Sequence, residues 1–312
     1  MTANTDKTRA LSIRNKKWQN LDSIPSWVNV DDVGLDQFFT KPDVAQKCLE
    51  SFQRFLRKRG VDTRDYTYLE PAAGAGAFYN LLPENKIGLD ICPMQAGIQE
   101  EDFLSWQPNA TKFLAVGNPP FGYRGWLALT FMNKIAQIAD YVGFILPMSF
   151  QSDGKGSPKR RVKGMRLVHS EVLGPNSFVS PDGKTVKINA LWQIWEKGEN
   201  TAELQETCNN WVDLFTVDMR KERLCGQEKI EHADFFLQRT FYSEPPQLVK
   251  SFDQVKYVCG YGLIIKRDKS NVVEALNQVD WRKYSNLAAH NCRHISMYHI
   301  QKVLTEKGFV DV

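Results

Sequence analysis

Apolar positions along the first two thirds of the chain switch repeatedly between a helical and an extended period. Beyond Pro42, Val44, Cys48, Phe52, Phe55 and Leu56 recur at three- and four-residue spacing, which predicts a helix. Pro42 suits its first turn, Thr40 is placed to cap it, and Arg54, Arg57, Lys58 and Arg59 close it where the helix dipole favours cations. Residues 66–69 read as a strand, with 79–82 able to carry a short helix, and Lys86 to Asp90 read as a second strand. Residues 114–116 end a third strand, stopped by Pro119 and Pro120, each of which lacks a donor and restricts the residue before it. Leu127, Phe131, Ile135 and Ile138 predict a helix across 126–139, and 141–146 a strand ending at Pro147. Strands alternating with helices imply an α/β, doubly wound, mostly parallel sheet, where ligands bind beyond the carboxyl ends of the strands. Glu70, Asp90, Asn118 and Pro147 fall at those ends.

From residue 200 onward the pattern changes. Trp211, Val212, Leu214, Phe215 and Val217 form a mixed apolar run, and aromatics at 235–236 and 241–242 precede Pro245 and Pro246. Residues 255–265 read as one or two strands broken at Gly260 and Gly262, and helices are expected around 272–279 and 295–304. A smaller C-terminal α+β region follows from this.

Chemistry concentrates at the strand ends. After 114–116 come Asn118, Pro119, Pro120 and Phe121. The Asn118 side-chain oxygen and the Pro119 carbonyl would give two neutral acceptors facing one point, with the Phe121 ring beside them, an arrangement suited to a planar amine held by both hydrogens. The same octapeptide also reads as a plain strand-to-loop junction. Upstream, Gly74 and Gly76 permit a tight turn against which a ligand can lie. Tyr79 stands where a dinucleotide fingerprint has its third glycine, which disfavours a nicotinamide or flavin site. Glu70 is poorly placed for phosphates and well placed for a cationic ammonium. Asp90 can take both hydroxyls of a ribose, and Asp102, with Phe103 behind it, can accept from an exocyclic amine while the ring packs on a base. Each carboxylate has an alternative as a strand-end cap.

Taken together, the segments Asp36-Gln-Phe-Phe-Thr-Lys-Pro42, Leu69-Glu-Pro-Ala-Ala-Gly-Ala-Gly76, Gly88-Leu-Asp90, Asp102-Phe103 and Asn118-Pro-Pro-Phe121 resemble the S-adenosylmethionine-dependent N6-adenine methyltransferases in their gamma-type motif order. The resemblance covers roughly 34–197. It implies a seven-stranded sheet with the last strand antiparallel, 188–195 fitting one of the final pair. It also implies S-adenosylmethionine as cofactor, bordered by Thr40, Glu70, Pro71, Ala73, Gly74, Gly76, Asp90, Ile91, Asp102, Phe103 and Asn118. Asn118, Pro119, Pro120 and Phe121 would form the catalytic motif, the amine of a flipped base attacking the methyl group directly without a cysteine nucleophile. Asn-Pro-Pro-Phe also occurs in RNA adenine methyltransferases and Asn-Pro-Pro-aromatic in protein glutamine methyltransferases. DNA is the expected substrate and RNA the alternative, with a protein glutamine or a non-catalytic nucleic-acid-binding subunit as further readings.

Composition refines this picture. The 312 residues carry 40 basic and 36 acidic side chains, a formal net charge of +4, compatible with a polyanionic partner without demanding one. Five of the basic residues, Lys7, Arg9, Arg14, Lys16 and Lys17, sit in an N-terminal arm over 1–30, a phosphate-binding arm or a solvated tail. A methyltransferase domain over 31–198 and a target-recognition or accessory domain over 199–312 complete the expected organisation. Lys155, Lys159, Arg160, Arg161, Lys163 and Arg166 occur without an acid between them and read as a loop at the rim of the pocket, able to hold phosphates on both sides of an extruded base. The alternative is a solvated positive loop. Six cysteines form no C-x-x-C pair, and His290, His294 and His299 lack ligand spacing, so no metal site is expected. With no signal peptide and no uninterrupted apolar 18-mer, an intracellular protein is expected, in the cytoplasm of a prokaryote or a phage-infected cell, or in a nucleus. An accessory protein or a second copy is a further possible partner, and no membrane partner is expected.

Overall fold

In the computed structural model, residues 38–108, 112–122, 125–152, 156–180, 183–201, 206–221 and 223–311 are described. The N-terminal arm over 1–30, the first residues of the 36–42 motif and Lys155 lie outside them. The chain divides into two compact units, one comprising residues up to Phe150 with Pro158–Thr201, the other Gln151–Ser157 with Ala202–Val312.

In the first unit a short strand, β1 (Phe39–Thr40), leads into α1 (Pro42–Lys58). Pro42 opens the helix, Asp43 lies in its first turn and Arg57 and Lys58 in its last, each charge matched to the helix dipole. Ala45, Cys48, Leu49, Phe52 and Leu56 form its buried face. The expected cap is absent: Lys41 is the N-cap and makes no side-chain cap bond, while Thr40 is taken up by β1.

The strands that follow are β2 (Thr67–Glu70), β3 (Lys86–Asp90), β4 (Gln99–Glu100) and β5 (Phe113–Gly117). Helix α2 (Trp126–Ile135) and β6 (Ala139–Pro147) come next, α2 being shorter than its apolar pattern predicts. A four-residue helix, α3 (Pro158–Arg161), precedes β7 (Met165–Leu173), the hairpin pair β8 (Phe178–Val179) and β9 (Thr185–Val186), and β10 (Ala190–Lys197). The large sheet has the order β4-β3-β2-β5-β6-β10-β7. All neighbours are parallel except β10, which runs antiparallel to both β6 and β7. Counted within this sheet, that is 3-2-1-4-5-7-6 with an antiparallel seventh strand, the Rossmann-like methyltransferase fold. Every residue of β5 is buried, as expected of a central parallel strand covered on both faces. Phe52, Phe78, Leu114, Ile145 and Trp192 share the core on the α1 side.

The connection from β2 to β3 contains no α-helix, only a 3-10 turn over Tyr79–Leu81. Pro83 follows at once and holds Leu82 extended, at φ −77° and ψ 151°. Phe78 is stacked on Trp192 at 6.2 Å, and the Tyr79 ring fills the space that a Cβ at Gly88 would need, 2.6 Å away. Two anchored aromatics in succession thus hold this short connection.

In the second unit β11 (Val212–Asp218), β12 (Phe235–Gln238), β13 (Thr240–Phe241) and β14 (Cys259–Ile265) precede α4 (Lys269–Asn277), and β15 (Asn286–Leu287) and β16 (Arg293–His294) precede α5 (Met297–Glu306). An antiparallel sheet β11-β14-β12 and a small sheet β13-β16-β15 result. Glycines do not break β14. A Cβ at Gly262 would lie 2.2 Å from the Phe215 ring and one at Gly260 2.6 Å from the Leu237 carbonyl, so both serve close packing within one continuous strand. His299 completes a capping box with Ser296 at the start of α5, and His294 Nδ1 lies 2.9 Å from Thr240 Oγ1. Both histidines therefore have structural partners. Among the described residues no helix is long and apolar enough to cross a membrane.

Candidate functional site

Parallel register brings the carboxyl ends of β2, β3 and β5 to one edge of the sheet, Glu70 standing opposite Gly88 and Leu69 opposite Ala115. A cavity of about 570 Å³ opens there, within the range of about 300–1,000 Å³ typical of small-molecule sites. Its wall includes Thr40, Glu70, Pro71, Ala73, Gly74, Gly76, Asp90, Ile91, Asp102, Phe103, Asn118, Pro119, Pro120 and Phe121, so residues far apart in the chain meet around one space. Pro147, also at a strand end, closes β6 without joining that wall.

The turn after β2 forms the floor. Gly74 and Gly76 are left-handed, at φ 50° and 82°, a region open to glycine without steric cost. Asp90 fixes this turn: Oδ2 accepts from the Gly74 amide at 2.7 Å and Oδ1 from the Cys92 amide at 2.8 Å. Burial raises its carboxyl above the usual range, and the two amides offset part of that rise. The strand-end cap is thus real, and each oxygen retains a second lone pair.

Glu70 is 2% exposed, and its Oε2 has no hydrogen-bond partner. Burial pushes this carboxyl well above the ordinary range; Asp90 adds to the rise, while the Tyr79 amide and Lys86 oppose it. A Cβ at Gly117 would stand 3.1 Å from Glu70 Cγ, so the glycine before Asn118 makes room for the acid. A buried, unpaired carboxyl oxygen on a cavity wall is a site for a cation or a strong donor, either of which would favour its ionised form.

Asn118 is oriented by the residue just before β1. Its Nδ2 donates to the Phe38 carbonyl at 3.2 Å, and because a carbonyl can only accept, the amide nitrogen must be the atom facing it. Oδ1 is left buried and without a partner. Downstream, the Phe121 carbonyl accepts from the Ala128 amide in α2 at 3.2 Å. Left-handed Gly122 allows the chain to turn there, where a Cβ would come within 2.6 Å of Leu127.

Thr40 is 5% exposed and its hydroxyl, freed from capping, has no partner on the cavity wall. Asp102 accepts from the Leu104 amide at 2.9 Å. Behind it Phe103 is almost wholly buried against Phe131, with ring centroids 5.2 Å apart. Lys134 donates to the Leu104 and Trp106 carbonyls at 2.8 Å each and lies over the Phe103 ring; burial lowers its pKa, and Asp102 opposes that.

The basic segment departs from the loop expected of it. Lys159, Arg160 and Arg161 lie on α3, and Arg166 is in β7, where its guanidinium pairs with Glu196, which also binds Arg59 at 3.0 Å. The Lys163 amide donates to Asn133 Oδ1, and its side chain belongs to an exposed residue. None of these five lines the cavity. Conversely, sequence reasoning left out Phe38, Val179 and Ser180 from the wall. Phe38 lies inside the 36–42 motif, whereas Val179 arrives only because β8 pairs with β1, Phe39 opposite Val179. Leu127 and Phe131 also line the cavity, at a spacing that reads as helix core. Among the described residues no group of three His, Cys, Asp or Glu side chains is placed to hold a metal ion.

No protein-family model matches the chain, and no curated protein does. Among solved structures it is similar to a Pyrococcus horikoshii protein assigned as an RNA methyltransferase, at 17% identity over 61% of this chain and 98% of that one, with a TM-score of 0.39. It is also similar to the 23S rRNA methyltransferase ErmE, at 12% identity over 54% and 72% of the two chains, TM-score 0.36. A third is the magnesium protoporphyrin IX methyltransferase ChlM from Synechocystis PCC 6803, at 12% identity over 62% and 97%, TM-score 0.33.

Proposed function

We propose that this chain is an S-adenosylmethionine-dependent methyltransferase whose acceptor is the N6 amine of adenine in a nucleic acid. The observation that carries the reading is Asn118: a buried amide oxygen without a partner, aimed by a fixed amide nitrogen and followed by Pro119, Pro120 and Phe121 on the same cavity wall. The cofactor fits the residues present. Glu70 Oε2 is an orphaned buried acceptor for its ammonium, the Gly74–Gly76 turn leaves backbone open to it, and Asp90 and Asp102 offer acceptors for ribose hydroxyls and the adenine amine. When bound, S-adenosylmethionine supplies an electrophilic methyl group.

The protein's own part is to hold the amine. An adenine amine is a weak nucleophile because its lone pair is delocalised into the ring. Asn118 Oδ1 and the Pro119 carbonyl accept its two hydrogens and favour the pyramidal geometry of the transition state over the flat ground state. Phe121 stacks on the extruded base. Holding amine and methyl at reacting distance supplies much of the remaining acceleration.

The test is mass spectrometry of nucleosides from single-stranded DNA, duplex DNA and structured RNA after incubation with labelled cofactor. Label in N6-methyladenine is expected, and its distribution identifies the polymer. A planar glutamine amide presents the same two hydrogens, so label found in protein hydrolysate instead would reassign the acceptor. No transfer to any of these would overturn the reading.

A further inference from the structure

Among the described residues eight large apolar side chains stand exposed, and five of them, Met219, Leu224, Tyr242, Tyr257 and Val258, lie on three segments of the second unit that are linked to one another. The Tyr242 and Tyr257 rings, each more than half exposed, meet edge to face with centroids 6.3 Å apart. The Met219 amide donates to the Val258 carbonyl at 2.9 Å, which brings the turn after β11 beside them. That turn is closed by two backbone hydrogen bonds between Asp218 and Cys225, at 3.1 and 3.2 Å, and pinned by the ion pair of Asp218 with Arg220. Leu224 lies on it.

The backbone at this surface is unusual. Tyr257 and Val258 are both left-handed, at φ 63° and 49°, a conformation uncommon for any side chain and an outlier for a β-branched one. Such outliers gather at functional sites, where the surroundings hold them. Here they leave the Tyr257 ring and Val258 in solvent beside the exposed Tyr242 ring. Cations interleave with the apolar groups: Lys221 in the turn and Lys256 before Tyr257 are exposed, and 219–224 holds Arg220, Lys221 and Arg223 against Glu222.

We infer that this surface is a stacking platform for unstacked bases of a single-stranded nucleic acid. Exposed aromatic faces take bases of any identity, and flanking lysines neutralise phosphates. A protein partner fits less well, because lysine is depleted at the centre of protein interfaces. The inference rests on the nucleic-acid reading proposed above and narrows it: the preferred substrate is a single strand, from which extruding a base costs least.

Fluorescence anisotropy with the full chain tests it, using labelled oligothymidylate and oligouridylate, which contain no adenine, and a duplex of equal length. Tyr242→Ala and Tyr257→Ala are each expected to weaken single-strand binding about 5- to 150-fold, and Tyr257→Phe, which keeps the ring, to stay within about twofold of wild type. Lys221→Ala combined with Lys256→Ala should lower the slope of log affinity against log salt by about one to two units. Affinity for S-adenosylhomocysteine should not change in any variant. If an alanine variant does not fold, quenching of wild-type tyrosine fluorescence by oligothymidylate, together with the Phe and Lys variants, decides the matter. Unchanged single-strand affinity in the alanine variants, tighter duplex binding insensitive to both tyrosines, or an effect confined to self-association would each overturn the platform. Tyrosine-dependent oligothymidylate binding by a protein that methylates no adenine would keep the platform and remove the catalytic reading.

Discussion

Glu70→Gln removes the ionisable group from a side chain that is 2% exposed, while keeping its size. In the free protein, burial holds this group well above the ordinary 4.5, so it takes up a proton on folding. An acid with a raised folded pKa contributes stability that is fully present below its unfolded value and lost as pH rises through the folded one. The free Gln variant should therefore melt like wild type in acid and at an increasingly higher temperature than wild type as the pH rises from the ordinary carboxyl value to the raised one. Cofactor binding runs in the opposite sense. A bound ammonium favours the carboxylate, so wild-type affinity for S-adenosylhomocysteine should increase with pH through the raised value, with proton release on binding. The variant should lose that contribution and keep the shallower dependence due to Asp90, whose pKa is also raised by burial. A hydrogen bond to a charged group is worth about 1.5–3 kcal/mol, so above the raised value the variant should bind about 10- to 150-fold more weakly. Calorimetric titration in buffers of different ionisation enthalpy, paired with thermal melts of the free protein, measures each quantity. A variant that binds within twofold of wild type and releases the same number of protons would refute the argument.

Three further outcomes follow from the geometry. Asn118→Ala should lower methyl transfer by about 100-fold or more, as loss of a transition-state hydrogen-bond partner does, while calorimetry shows cofactor affinity nearly unchanged. Equal loss of both would remove the amine-holding role. Asp90→Ala leaves the Gly74 and Cys92 amides without their acceptor, so it should lower the melting temperature of the free protein as well as cofactor affinity; a cofactor dissociation constant moved by less than about threefold would rule out a hydrogen-bonded ribose. Gly262→Ala places a methyl group against the Phe215 ring and should destabilise the second unit by about 1–3 kcal/mol in denaturant unfolding, leaving cofactor affinity intact.

Local pattern was enough wherever one chain segment determines its own conformation. Lys86–Asp90 is a strand over the residues its apolar run marks, and Asn118 and Asp90 lie at strand ends because prolines and turn residues stop the strands there. What the pattern missed was decided by contacts remote in the chain. Thr40 has the chemistry of a cap, yet β1 claims its backbone by pairing with Phe178. Arg166 looked like one more loop cation, but Glu196 opposite it in the sheet selects it as an ion-pair partner. Residues 79–82 carry the short helix expected of them only as a 3-10 turn over Tyr79–Leu81, with Phe78 packed against Trp192 and Tyr79 under Gly88. Glycine is a breaker in a strand only if nothing rests on it, and Phe215 rests on Gly262.

The pairing of β1 with β8 joins two segments from opposite ends of the first unit through two residue pairs, Phe39 with Val179 and Thr40 with Phe178. Phe38, Phe39, Thr40 and Val179 all line the cavity. This ladder has two residue pairs against five between β5 and β6, so amide hydrogens there should exchange through local opening before those of β5 or β6. A ligand in the cavity would touch both strands of the pair and hold them together. Its occupancy should appear first as slowed deuterium uptake at residues 38–41 and 177–180, with the protected amides of the central strands hardly affected.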